Sequence, residues 1–457
     1  MKKITWPILT AMLVLAMILS ACGPAATQTP AKVENTQAPV QAEPTQASAP
    51  TQAPAAAEAV KVTIWFHSGQ GSEREVLDAQ VKDFNASQKK YVIDAVQLPE
   101  GSFNDQVNAA ALSGQLPCLL DFDGPNLYNY AWKGYLLPMD SYVSADVKAD
   151  FLPSIIAQGT YNGKLYSLGT FDSGLALWGN KSMLEKAGVR IPKGVEDAWT
   201  LEEFDAALKA LKDSGVEYPI DMKVNYGNSW WIYSILPMLQ SFGGDAIDRA
   251  DYQKATGVLD GAASVAAMTK FQEWAQKGYF NPAQTTDDDF YGSKKSALAW
   301  VGHWMYATHK EKLGDDLVLI PLPKFGAKAY TGMGSWNWGI TASCPTPDGA
   351  YAFLEYLIQP EQIIRMTDAN GAIPARKSAL ALKADVYGAG GPLQVYADQL
   401  NTIASPRPVT PAFATIQTKF GEAVSAILNG GNVQEELTKA AKAVDQDIQD
   451  NNGYKTQ

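Results

Sequence analysis

Two kinds of hydrophobic periodicity alternate between residues 60 and 123, and this alternation restricts the fold more than any other feature of the chain. Residues 60–66 (VKVTIWF) are β-branched and aromatic, the composition of a strand. Gly69 and Gly71 interrupt them. Ser72-Glu-Arg-Glu75 has the spacing of a capping box and opens a helix that carries Val76, Leu77, Val81 and Phe84 on one face. Residues 91–96 (YVIDAV) read as a second strand, residues 103–112 as a helix ending at Gly114, and residues 116–122 as a third, largely apolar strand. A β-α-β-α-β succession implies the α/β class, with a parallel sheet covered on both faces. Ligands of such sheets bind at the carboxyl ends of the strands, where His67, Asp121 and Asp123 stand.

A second unit begins near residue 170. Thr200-Leu-Glu-Glu203 is another capping box, followed by Phe204, Leu208 and Leu211 at helical spacing. Residues 263–277 predict a helix stopped by Gly278, and residues 297–301 and 316–321 predict short strands. A Gly-rich loop then runs from Gly332 into a strand ending at Cys344. Pro347 opens a helix to residue 358, Pro360 starts another, and residues 415–448 are helical apart from Gly430-Gly431.

At 457 residues the chain has room for two or three domains. Its formal net charge of −11 repels phosphate backbones, so nucleic acid is not expected as a partner. Three cysteines exclude a disulfide-dense miniprotein, and three histidines leave little for a metal centre. His303 and His309 are six apart, which places them on different faces of a helix, and Asp287-Asp-Asp289 lacks the alternating oxygen pattern of a calcium loop and reads as solvated. No metal and no cofactor are expected.

The first residues read as an address. Lys2 and Lys3 precede an apolar run over residues 8–19, which as a helix rises about 18 Å, short of the roughly 30 Å hydrocarbon core. Residues 1–21 are therefore a secretory signal, not a span. The ending Leu19-Ser-Ala-Cys22 resembles a bacterial lipobox, in which Cys22 is lipidated; the alternative is an ordinary signal with an incidental cysteine. Residues 22–59, rich in Ala, Pro, Thr and Gln, read as a disordered tether.

Several segments, taken in order, resemble one family. Leu112-Ser-Gly-Gln-Leu-Pro117 leads into an apolar strand and Asp123. Tyr161-Asn-Gly-Lys-Leu-Tyr-Ser-Leu168 precedes Leu177-Trp-Gly-Asn-Lys181. Lys295 to Trp304 contains a Gly-x-Trp element, and Gly371-Ala-Ile-Pro-Ala-Arg376 a Gly-x-x-Pro-x-Arg turn. Together they resemble the maltose-binding (family 1) group of extracellular solute-binding proteins of ABC transporters. Two departures stand out: Cys118 replaces the usual Asp after the proline, and Gly179 replaces a Tyr. The resemblance implies a two-lobe, type II periplasmic-binding-protein-like fold with a ligand cleft between the lobes. Lobe one would comprise residues 60–170 plus 326–380, and lobe two residues 171–325 plus 381–457, with about three hinge crossings near 170, 326 and 380. It implies no catalysis. The expected function is a substrate-binding lipoprotein that captures a sugar by lobe closure and delivers it to a membrane permease. The expected state is an extracytoplasmic monomer held to the membrane by its N-terminal lipid only. In the family the strands flanked by Cys118 and Cys344 are antiparallel neighbours, which implies a disulfide between these two residues; two free buried thiols are the alternative.

Sugars present apolar C–H faces and a rim of hydroxyls, which aromatic platforms and carboxylates match. Among the twelve tryptophans, Trp230, Trp231, Trp304, Trp336 and Trp338 are candidates, although any one of them can instead pack in a core. Asp121, Asp123 and Asp172 supply acceptors. His67 is either a polar loop residue or a ligand contact. Arg376 either pairs with a carboxylate across the hinge or binds ligand. Competing readings are a secreted glycoside hydrolase, which needs two flanking carboxylates, and a surface carbohydrate adhesin. Within transport, a polyamine or another small solute is the alternative ligand.

Overall fold

The structure is a computed structural model describing residues 58–455 apart from Ser335. The signal segment, Cys22 and all but the last two residues of the expected tether lie outside the described residues.

The strands of the two main sheets are β1 (Val60–His67), β2 (Tyr91–Leu98), β3 (Leu119–Asp123), β4 (Leu168–Gly169), β5 (Leu175–Asn180), β6 (Ile220–Asp221), β7 (Leu298–Gly302), β8 (Leu317–Ile320) and β9 (Trp336–Ile340). The principal helices are α1 (Gly71–Ser87), α2 (Phe103–Leu112), α3 (Asn126–Trp132), α4 (Leu201–Asp213), α5 (Ala262–Gln276), α6 (Pro347–Leu357), α7 (Pro360–Asn370), α8 (Phe413–Leu428) and α9 (Val433–Asp450).

The first sheet has the order β2-β1-β3-β9-β4. β1 runs parallel to β2 and β3, as the alternation at the start of the chain requires. β9 arrives from more than 200 residues later and lies antiparallel to β3, pairing Trp336 with Asp123 and Trp338 with Asp121. One face of this sheet buries Val62, Ile64, Phe66 and Ile340 against Phe84 and Phe353; the other buries Leu120 and Phe122 against Phe103 and Val107. Cys118 and Cys344 meet where β3 begins and β9 has ended, forming a disulfide with Cα atoms 4.4 Å apart.

The second sheet has the order β8-β5-β7-β6, and its core continues into α4, α5, α8 and α9. α4 forms where the capping box predicts. The Glu203 amide donates to Thr200 Oγ1 at 3.3 Å, Glu203 Oε2 accepts from the Thr200 amide at 2.9 Å, and Phe204, Leu208 and Leu211 are buried. The cap of α1 differs from expectation. Glu73, not Glu75, closes the box, accepting from the Gln70 amide at 2.8 Å. Ser72 instead donates to the Ala369 carbonyl at 3.0 Å, because it faces the end of α7.

The stretches that pass between the sheets are laced together. Ile373–Pro374 pairs antiparallel with Phe171–Asp172, Thr331–Gly332 pairs parallel with Ala404–Ser405, and Gly174 bridges to Met333. Two α/β lobes thus face each other across a small set of mutually bonded connections. Among the described residues no helix is long and apolar enough to cross a membrane.

Candidate ligand cleft between the lobes

The carboxyl ends of β1 and β3 and the start of β9 bring His67, Asp121, Asp123 and Trp336 together. The imidazole of His67 lies flat on the Trp336 indole, with ring centroids 3.7 Å apart and planes 9° from parallel. Phe103 meets that indole edge-on at 5.6 Å. Nδ1 of His67 pairs with Oδ2 of Asp121. Burial pushes the Asp121 carboxyl above the usual carboxylate range, and the neighbouring His67 pulls it back.

Asp123, at the tip of β3, is bound on both oxygens by Arg407, at 2.5 and 2.6 Å. Arg407 comes from the stretch just after residues 404–405 and is almost fully enclosed. Its guanidinium lies 4.8 Å from the centroid of the Tyr233 ring and 5.7 Å from that of Phe413. The pair therefore joins the first sheet to the core of the second. Nearby, Asn129 of α3 donates to the Pro411 carbonyl at 2.8 Å.

Asp172 sits on a connecting stretch and is buried. It accepts from the Ser173 amide at 3.0 Å, the Gly334 amide at 3.2 Å and Gln158 Nε2 at 3.3 Å. Burial raises its carboxyl, and these donors oppose the rise. Ser173 Oγ stands 2.7 Å from His303 Nε2 and 3.0 Å from the Tyr233 hydroxyl. His303 Nδ1 faces the Asn370 carbonyl at 2.7 Å, which can only accept, so Nδ1 carries the proton. The Ser173 hydroxyl then donates to Nε2, and Tyr233 donates to Ser173. Burial lowers His303 to about 4, so the ring is neutral at ordinary pH.

On the second lobe, Trp304 follows β7 and is half-buried. It meets Trp230 edge-on at 6.0 Å and Tyr233 at 6.2 Å. The candidates thus divide. His67, Asp121, Asp123, Asp172, Trp304 and Trp336 stand at strand ends or on the connections between lobes. Trp230 backs Trp304 but is itself buried, its Nε1 donating to the Met222 carbonyl at 3.0 Å. Two candidates depart from the sequence expectation. Trp231 is buried against Phe271, since its helix turns that face inward. Trp338 points into the core of the first lobe, edge-on to Phe353. Arg376 takes the carboxylate-pairing role of its two expected ones, held by Asp150 at 2.7 Å and the Ile358 carbonyl at 2.9 Å. Asp287 is not the solvated loop residue expected. It pairs at 2.8 Å with Lys223, which is fully buried and requires counter-charges. Arg407 and Ser173 were not anticipated; the one signal for Arg407 is its place between Pro406 and Pro408, which fixes the local backbone.

Residues 79–388, more than half of the chain, match the bacterial extracellular solute-binding protein family. The chain belongs to that family. Among its relatives is the "uncharacterized lipoprotein in oleD 5'region" of Streptomyces antibioticus, 22% identical over 66% of this chain and 67% of that protein. Another is the maltotriose-binding protein of Pyrococcus abyssi, 25% identical over 73% of this chain and 72% of that protein. In three dimensions the chain is similar to an ABC transporter solute-binding protein from Thermotoga lettingae, solved bound with alpha-D-tagatose. That likeness has a TM-score of 0.73 at 23% identity, over 85% of this chain and 99% of the other, and establishes the two-lobe fold.

Proposed function

We propose that this solute-binding protein captures a sugar or short oligosaccharide between its lobes and hands it to a membrane permease. The observation that carries this reading is the pairing of Trp336 with Asp123 across adjacent strands of the first sheet, with Asp123 bound by Arg407, whose guanidinium lies over the Tyr233 ring that Trp304 also meets. A partly exposed indole suits the C–H face of a pyranose, and the Asp123 carboxylate, a quarter exposed and held in place by Arg407, offers an acceptor for a hydroxyl. The maltotriose-binding relative supports the ligand class. The lobes are taken as residues 60–170 with 326–380 and residues 171–325 with 381–457. Binding without chemistry fits Asp121 and Asp123, since Asp121 is engaged by His67 and Asp123 by Arg407. Cys22 is proposed as the lipid anchor, a reading supported by the lipoprotein relative.

The test is a thermal-shift panel of maltose, maltotriose, mannobiose, tagatose and spermidine, followed by chromatography of the incubated sugars. A bound ligand raises Tm in proportion to ln(1 + [L]/Kd). The expected result is a rise with at least one sugar, none with spermidine, and sugar recovered intact. A rise with spermidine alone, or cleaved sugar, contradicts the proposal.

A further inference from the structure

The sequence left His67 open between a loop residue and a ligand contact, and the geometry points to a third role. We infer that His67 is a positioning residue: it fixes the plane of the Trp336 indole from behind. The inference rests on the reading of Trp336 as the sugar platform.

Four observations carry it. The two rings are parallel and in contact, so rotation of the indole about its χ2 would drive it through the imidazole. The imidazole is itself locked, because Nδ1 pairs with a buried Asp121 on the adjacent strand. The turn after β1 closes around the ring's other end. Gly69 has φ +47°, and a Cβ there would stand 3.2 Å from His67 Nε2 and 2.8 Å from Glu73 Oε2. Only glycine lets the chain pass so close. Finally, the His67 side chain is only 11% exposed, and the cavity that both rings line measures about 30 Å³, too small for a sugar ring. His67 is thus too enclosed to meet a ligand broadly. Holding an aromatic platform in its bound orientation removes an ordering cost from association.

The test uses the full chain labelled with 5-fluorotryptophan, with the Trp336 signal identified by its absence from W336F. In wild type this ¹⁹F resonance is expected to be single and sharp. His67→Ala should shift and broaden it, while His67→Phe, which keeps a flat ring but loses the Asp121 pair, should broaden it less than H67A does. Maltotriose affinity, measured by calorimetry, should fall about five- to thirtyfold in H67A and stay within about threefold of wild type in H67F. An unmoved, sharp Trp336 signal in H67A overturns the positioning role, as does a signal in H67F as broad as in H67A. If H67A broadens the signal but W336A leaves maltotriose affinity unchanged, the platform reading fails and the positioning role stands.

Discussion

Asp123 and Arg407, 284 positions apart in sequence, form a two-pronged ion pair across the lobe interface, with the guanidinium nearly fully enclosed and the carboxylate a quarter exposed. Such a pair is weak evidence for stability as a whole, but removing one partner strands a buried charge. Arg407→Gln should therefore destabilise the fold by about 2–4 kcal/mol, and Asp123→Asn by less, because Asp123 is the more exposed partner. A double-mutant cycle by urea unfolding should give a coupling of about 1–3 kcal/mol between the two sites. Additive single effects would show that the pair is not energetically coupled.

The disulfide joins the start of β3 to the stretch after β9, 226 positions apart. The chain-entropy model gives at most about 4–5 kcal/mol for a loop of this length. Denatured, unreduced protein should show no titratable thiol at Cys118 or Cys344, and the C118A/C344A variant should lose up to that amount in urea unfolding. Two free thiols would refute the bridge.

His303 gives a pH dependence with a definite sign. Its folded pKa of about 4 lies below the unfolded value of about 6.5, so between these the unfolded chain binds more protons. Its contribution is fully present above about pH 6.5 and is lost as pH falls towards 4, on the order of 3 kcal/mol. His309, also depressed by burial, acts in the same direction. The raised carboxyls of Asp121 and Asp172 act oppositely, so the comparison must be with a variant. Unfolding free energies at pH 4.5 and 7 should differ less in His303→Gln than in wild type. An identical difference would place the protonation elsewhere.

Trp304 lies against the backbone of Gly302, where a Cβ would stand 1.9 Å from the indole. Gly302→Ala should thus expel the ring, lower Tm, and weaken binding of the same sugar that Trp304→Ala weakens. Unchanged Tm and affinity in G302A would show that the indole has another resting place.

The sequence made the first lobe legible because its strands and helices are local and periodic: residues 60–66 and the helix after Gly71 declare themselves within a few turns of chain. The Cys118–Cys344 bridge followed from the family pattern rather than from spacing. The cleft was half legible. Asp121, Asp123 and Trp336 mark strand ends, which a reader of the α/β pattern can find. Arg407 lies in an aperiodic stretch between prolines, and its partner is defined only by tertiary closure. Trp231 and Trp338 misled because a tryptophan suits a core as well as a cleft. Lys223 hides a counter-charge demand that no local pattern reveals.

The central claim is that one sugar is held by side chains from both lobes at once. Maltotriose is titrated by calorimetry into wild type, W336A and W304A. Each substitution, one in each lobe, should weaken binding of the same ligand by roughly tenfold or more. An unchanged dissociation constant in either variant would contradict it.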